Sequence, residues 1–138
     1  MKNFVKWFGI IVFVAVIGFS FIGCLSFITT TNTDLNGDWE FPNGWFIVTI
    51  TSDVGVFNQI TGGNFKIALD NGNVQIGDQR FRNIRKTGYL TWSAQQLLVQ
   101  VGTGILAGWE DCTITMAADG KTFVVVGITV ADTTFTRK

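Results

Sequence analysis

The chain has 138 residues, with ten Lys or Arg against ten Asp or Glu, and 47% of it is hydrophobic. A balanced charge offers no basic surface for a phosphate backbone, so a nucleic-acid partner is not expected. With no histidine in the sequence, the commonest general base, the usual serine-protease triad and most zinc sites are excluded, and neither a metal nor a cofactor is expected.

The N-terminal stretch MKNFVKW carries Lys2 and Lys6 and no acid, and from Phe8 to Ile28 there is no charged side chain. A basic start followed by an apolar run is the layout of an export signal. The same run is long enough to cross a bilayer as a helix, for which roughly 20 apolar residues suffice. The sequence around Cys24, Phe21-Ile22-Gly23-Cys24, resembles the bacterial lipobox, in which a small residue precedes a cysteine that is acylated before the signal is cut. That resemblance implies lipidation at Cys24, removal of residues 1–23 and attachment to a membrane through the lipid. An uncleaved single-pass inner-membrane anchor and ordinary signal cleavage are the alternatives. A polar tether over residues 24–35, including TTTNTD, then leads to a folded domain over residues 36–138. If Cys24 is acylated, Cys112 has no disulfide partner; a Cys24–Cys112 bond requires Cys24 to stay free.

Beyond the tether the chain reads as β throughout, rich in Val, Ile, Thr, Phe and Trp and punctuated by glycine turns. PNG at 42–44 separates GDWEF from WFIVTIT, TGG at 61–63 separates GVFNQI from NFKIAL, and DNGN at 70–73 introduces VQI. KTG at 86–88 precedes YLTWSAQQLLVQV. In CTITM, Cys112, Ile114 and Met116 alternate with Thr113 and Thr115, giving one buried and one wet face. The Asp119-Gly120 turn joins that arm to TFVVV as a hairpin. No stretch has a helical period. GTGILAG, at 102–108, is expected to be a mobile rim loop or a wide turn, and a bulge is expected at Gly77. About eight strands joined by short links predict an antiparallel up-and-down meander that closes into a barrel and so removes its edges.

Both ends of this domain resemble the lipocalin-like, or calycin, barrels. Gly37-Asp38-Trp39 matches the Gly-x-Trp of their first strand, and Arg137 in FTRK matches the arginine of their last. The resemblance implies that Gly37, Trp39 and Arg137 close one end, with the guanidinium lying across the indole. In plan the chain is similar to small lipocalin-like lipoproteins of Gram-negative bacteria. That implies a cell-envelope location, lipid-anchored to the outer membrane, and a ligand-binding habit.

An eight-stranded interior is just wide enough to be filled by side chains or to hold one small ligand. The candidate ligand residues are Trp45, Phe57 and Trp92 inside the barrel, with Arg80, Arg82 and Arg85 near its opening. Forked guanidinium donors suit a carboxylate, a phosphate or an anionic headgroup; a charged edge strand that discourages aggregation needs the same residues. Glu40 and Glu110 each follow a tryptophan and are read as solvent-facing neighbours of inward rings. No catalytic residue is assigned, and Cys112 is read as a small buried hydrophobe. The expected function is binding of a small apolar or amphipathic molecule. A solid-cored lipoprotein that contacts an envelope protein is the alternative.

Overall fold

In the computed structural model, which describes residues 33–138, alternation and turns build eight antiparallel strands. They are β1 (Gly37–Glu40), β2 (Phe46–Thr51), β3 (Val54–Ile60), β4 (Gln79–Gly88), β5 (Thr91–Val99), β6 (Leu106–Met116), β7 (Thr122–Val126) and β8 (Thr133–Arg137). Each strand pairs with its sequence neighbours, and β1 pairs with β8 through Trp39↔Arg137 and Glu40↔Thr136, so the meander closes into a barrel. The N-terminal segment expected to be an export signal or anchor, and Cys24, lie outside the described residues. No helix among the described residues is long and apolar enough to cross a membrane.

One helix, α1 (Gly63–Asp70), replaces the strand expected at NFKIAL. Eight residues are too few to hold a helix by propensity alone, so tertiary contacts decide it. Phe65 and Ala68, three apart on one face, are buried, and the Phe65 ring sits 5.3 Å from Phe46 and 4.9 Å from Phe57. On the wet face Lys66 donates to Asp70 one turn later, at 2.5 Å. Residues 74–76, expected to be a strand, lie outside any strand, although Val74 is buried.

The loop after β5 is a turn pinned to this helix, the wide turn of the two forms expected. Gly102 N–H donates to Asn64 Oδ1 at 3.0 Å, while Asn71 and Asn73 side-chain amides donate to the Thr103 and Gly104 carbonyls. Strand β6 already begins at Leu106, inside the supposed loop.

The up-and-down order gives the barrel two ends. Residues 34–36, 52–53, 89–90, 117–121 and 137–138 gather at one, and the connections 41–45, 61–78, 100–105 and 127–132 at the other. At the first, Arg137 lies over Trp39 with its guanidinium carbon 4.2 Å from the ring centroid. It donates to the carbonyls of Gly120 (2.8 Å), Asn36 (2.8 Å) and Asp34 (2.5 Å). Trp39 Nε1 donates to the Leu35 carbonyl at 2.7 Å, and Leu35 is itself buried, so the residues just before β1 belong to the barrel floor.

A column of rings fills the interior above this floor. Trp39 touches Phe123 (centroids 4.5 Å apart), Phe123 stacks on Phe135 (4.9 Å), and Phe135 meets Phe81 (5.7 Å) and Phe46 (5.9 Å). Tilted and edge-on pairs of this kind each add about 0.5–1.5 kcal/mol beyond the area they bury. The column ends at the open end, beneath α1.

Candidate functional site

Three polar side chains are buried among the described residues, Arg80, Gln96 and Glu110, and they form one connected row. Their placement follows from strand geometry. In β6 the inward positions are Glu110, Cys112, Ile114 and Met116; in β5 they include Trp92, Ala94 and Gln96. Gln96 and Glu110 stand opposite each other in the β5–β6 ladder, so both side chains share the interior face. Glu110 is therefore 7% exposed and Trp109 lies on the outer face, which reverses the expected solvent-facing glutamate. Extending the Cys112–Ile114–Met116 alternation back by one period would have shown it.

Arg80 arrives by a different device. In the β3–β4 ladder Val56 pairs with Gln79 and the next residue, Gly55, with Phe81. Arg80 is thus the extra residue of a bulge, and a bulge re-aims side chains. It is 6% exposed, and its guanidinium carbon lies 4.7 Å from the Phe81 centroid, 5.2 Å from Phe65 and 6.0 Å from Phe46. A second irregularity falls at Asn83, with a positive φ of 53°, where the β4–β5 register shifts between Arg82 and Arg85. A bulge was expected at Gly77, and one lies there: Gly77 N–H donates to the Phe57 carbonyl at 2.8 Å and Phe57 N–H to the Asp78 carbonyl at 2.9 Å, so two residues face one, with φ 95° at Gly77.

The row runs from this arginine across the barrel to its rim. Arg80 Nη1 donates to the Leu97 carbonyl and Nη2 to Gln96 Oε1, both at 3.0 Å. Gln96 Nε2 donates to Glu110 Oε2 at 2.9 Å. Glu110 Oε1 accepts from Ile128 N–H at 2.9 Å, from the Thr129 hydroxyl at 2.8 Å, and from Thr129 N–H. Burial pushes the Glu110 carboxyl upward, but the donors from Thr129, Gln96 and Ile128 outweigh it and hold the group below its ordinary value. Burial also lowers the Arg80 guanidinium to about 10, against the attraction of Glu110, so it remains charged at neutral pH.

Gly127 lets this row close. A Cβ there would meet Gln96 Nε2 and Glu110 Oε2 at 2.5 Å. The loop that Glu110 holds carries Val130, which faces the same space as Arg80.

That space is a cavity of about 180 Å³ at the open end, walled by Phe41, Trp45, Phe46, Phe65, Val130 and the β5 segment Leu97–Val99, with Arg80 on its lining. Trp45 lies flat against Gly62 and Gly63, where a Cβ would meet its ring at 2.5 Å, and it is still 42% exposed. It forms one lip of the mouth.

Of the candidate ligand residues, Trp45 and Arg80 line this cavity. Phe57 stands behind Phe46 and Phe65 and is sealed from it. Trp92 is buried towards the closed end with Lys86 Nζ 5.6 Å from its ring centroid. Arg82 is on the outer face, 4.1 Å from the Trp109 ring centroid and donating to Gln95 Oε1. Arg85 borders an open groove of about 680 Å³ on the outside of β4–β6, lined also by Asn83, Gln95 and Asp111. That groove holds no buried charge, so the mouth is the stronger candidate. The linear cluster of basic residues is thereby split between two faces, because alternation and bulges send neighbours apart. Among the described residues no group of three or more His, Cys, Asp or Glu is placed to hold a metal.

Comparison of the chain with protein-family models, with curated proteins and with solved structures finds no match.

Proposed function

We propose that this chain is a membrane-tethered lipoprotein whose barrel, lipocalin-like in plan, binds a small apolar or amphipathic molecule in its mouth. The observation that carries the reading is the cavity between α1 and the ring column, with Phe41, Phe46 and Phe65 on its walls. At about 180 Å³ it holds the volume of about six waters and falls below the roughly 300–1,000 Å³ typical of drug-sized pockets. The ligand is therefore small: a short chain or a single ring. Residues 34–36, which lead into β1, lie at the closed end, opposite the mouth.

The reading is non-catalytic. Burial pushes the Cys112 thiol up to about 11, away from thiolate chemistry at neutral pH, and both Glu110 oxygens already accept hydrogen bonds. Glu40 stands apart from Glu110, in an ion pair with Lys138 at 2.8 Å.

Titrating the full-length chain in lipid nanodiscs with linear alcohols from butanol to decanol, with empty nanodiscs as blank, tests the cavity. Saturable binding that strengthens with chain length and then stops at a cutoff is expected; no saturable binding at any length would sink the reading. Intact mass from the native membrane, against Cys24→Ser, tests the anchor: residues 24–138 plus an acylated glycerol is expected, and an unmodified full-length mass overturns it.

A second reading rests on the exposed apolar side chains near the open end, Val101, Ile105, Ile128 and Val130. They suit an interaction lipoprotein that contacts an envelope protein, and crosslinking in cells from position 101 or 128 would capture that partner.

A further inference from the structure

The interior contains one cation whose hydrogen bonding is incomplete. Arg80 Nε is buried and has no acceptor, the lone such side-chain nitrogen or oxygen among the described residues. Two ion pairs form among those residues, Lys66–Asp70 and Lys138–Glu40, and neither includes Arg80. A buried guanidinium with an idle N–H and no carboxylate in contact is costly to keep. The three phenylalanine rings offset part of that cost through their faces, but a ring face does not replace an acceptor for the N–H.

The nearest acid is kept off the arginine by design of the row. Gln96 stands between them, its carbonyl oxygen turned to Arg80 and its amide to Glu110. Glu110 is meanwhile occupied by the Ile128–Thr129 backbone and the Thr129 hydroxyl. A carboxylate at position 96 would take the guanidinium for itself; a neutral amide orients it and leaves Nε idle. Arg80 also lines the mouth cavity.

Resting on the reading that the mouth binds a small molecule, we propose that its ligand is a carboxylate: Arg80 receives the anionic head of a short amphiphile whose apolar part lies against Phe41, Phe46, Phe65 and Val130. A carboxylate suits the site better than a phosphate dianion, because a single cation serves a single negative charge and no second cation lines the cavity. The same field rejects cations.

The test compares hexanoate, hexanol and hexylamine, equal in chain length and different in charge, by calorimetry on the full-length chain in nanodiscs at neutral pH. Hexanoate is expected to bind at least about tenfold more tightly than hexanol, with hexylamine excluded. The preference for hexanoate should vanish in Arg80→Gln, which keeps an uncharged donor, while hexanol binding persists. Equal affinity for hexanoate and hexanol in the wild type overturns the anion assignment and leaves the cavity reading standing. A preference for hexanoate that survives Arg80→Gln puts the anion elsewhere and also overturns it. Failure of all three ligands removes the cavity reading and this inference with it. The wild-type comparison needs no variant, so a poorly folding Arg80→Gln does not rescue the proposal.

Discussion

The two ends of the barrel each hold an arginine against aromatic rings, and the difference lies in the donors. At the closed end Arg137 covers Trp39 and gives Nε, Nη1 and Nη2 to three main-chain carbonyls. At the open end Arg80 covers Phe81 and Phe65, gives Nη1 and Nη2 to Leu97 and Gln96, and leaves Nε idle. The first arginine ties together β8, the β6–β7 turn and the entry to β1, and each of its three nitrogens donates within the fold. The second sits at a cavity with a donor to spare. A stacked guanidinium is thus a clasp where all three of its nitrogens donate, and under the proposal above it is a receptor where one of them does not.

This contrast can be broken from either end. The largest effect is expected for Arg137→Ala, which removes the stacking and three charge-assisted hydrogen bonds; stability should fall by about 3 kcal/mol, read from urea unfolding. Next comes Gly127→Ala, whose methyl would press on Gln96 and Glu110 at 2.5 Å. A loss of about 2 kcal/mol is expected, together with weaker hexanoate binding as the row that orients Arg80 shifts.

Glu110→Gln sharpens the comparison through pH. The folded carboxyl titrates below its unfolded value, which is about 4.3. Its contribution is therefore complete above that pH and lost as pH falls through the folded pKa. The wild-type advantage in melting temperature over Glu110→Gln should be level from neutral pH down to about 4.3 and shrink below it; an advantage independent of pH would contradict this.

The smallest effect on stability is expected for Arg80→Met. Replacing a buried cation that lacks a contacting counter-ion with an apolar side chain of similar length should leave stability within about 1 kcal/mol of wild type, while hexanoate loses its preference over hexanol. A collapse like that of Arg137→Ala would make Arg80 a second clasp and erase the distinction between the two ends.

Much of the closed end was legible in the sequence. Gly37-Asp38-Trp39 and Arg137 lie at opposite ends of the domain, and a closing meander must bring its first and last strands together, as Trp39↔Arg137 does. The alternation of Cys112, Ile114 and Met116 was equally plain, and carried one step further it would have turned Glu110 inward. The open end was far less legible. NFKIAL has strand-like composition, and it becomes a helix because Phe65 finds a slot between Phe46 and Phe57, rings that arrive from two other strands. Arg80, Arg82 and Arg85 look equivalent in a row, and only the bulges at Arg80 and Asn83 divide them between the mouth and the outer wall.

By itself, then, the sequence determined a closing antiparallel meander and its hairpin turns, because these depend on a period of two and on local turn chemistry. Tertiary structure alone decided that one short segment coils, that one of several arginines turns inward, and that a glutamine and a glutamate, 14 residues apart, meet beside it. Those outcomes depend on register between strands and on which buried donors find acceptors, and both are properties of the closed barrel as a whole.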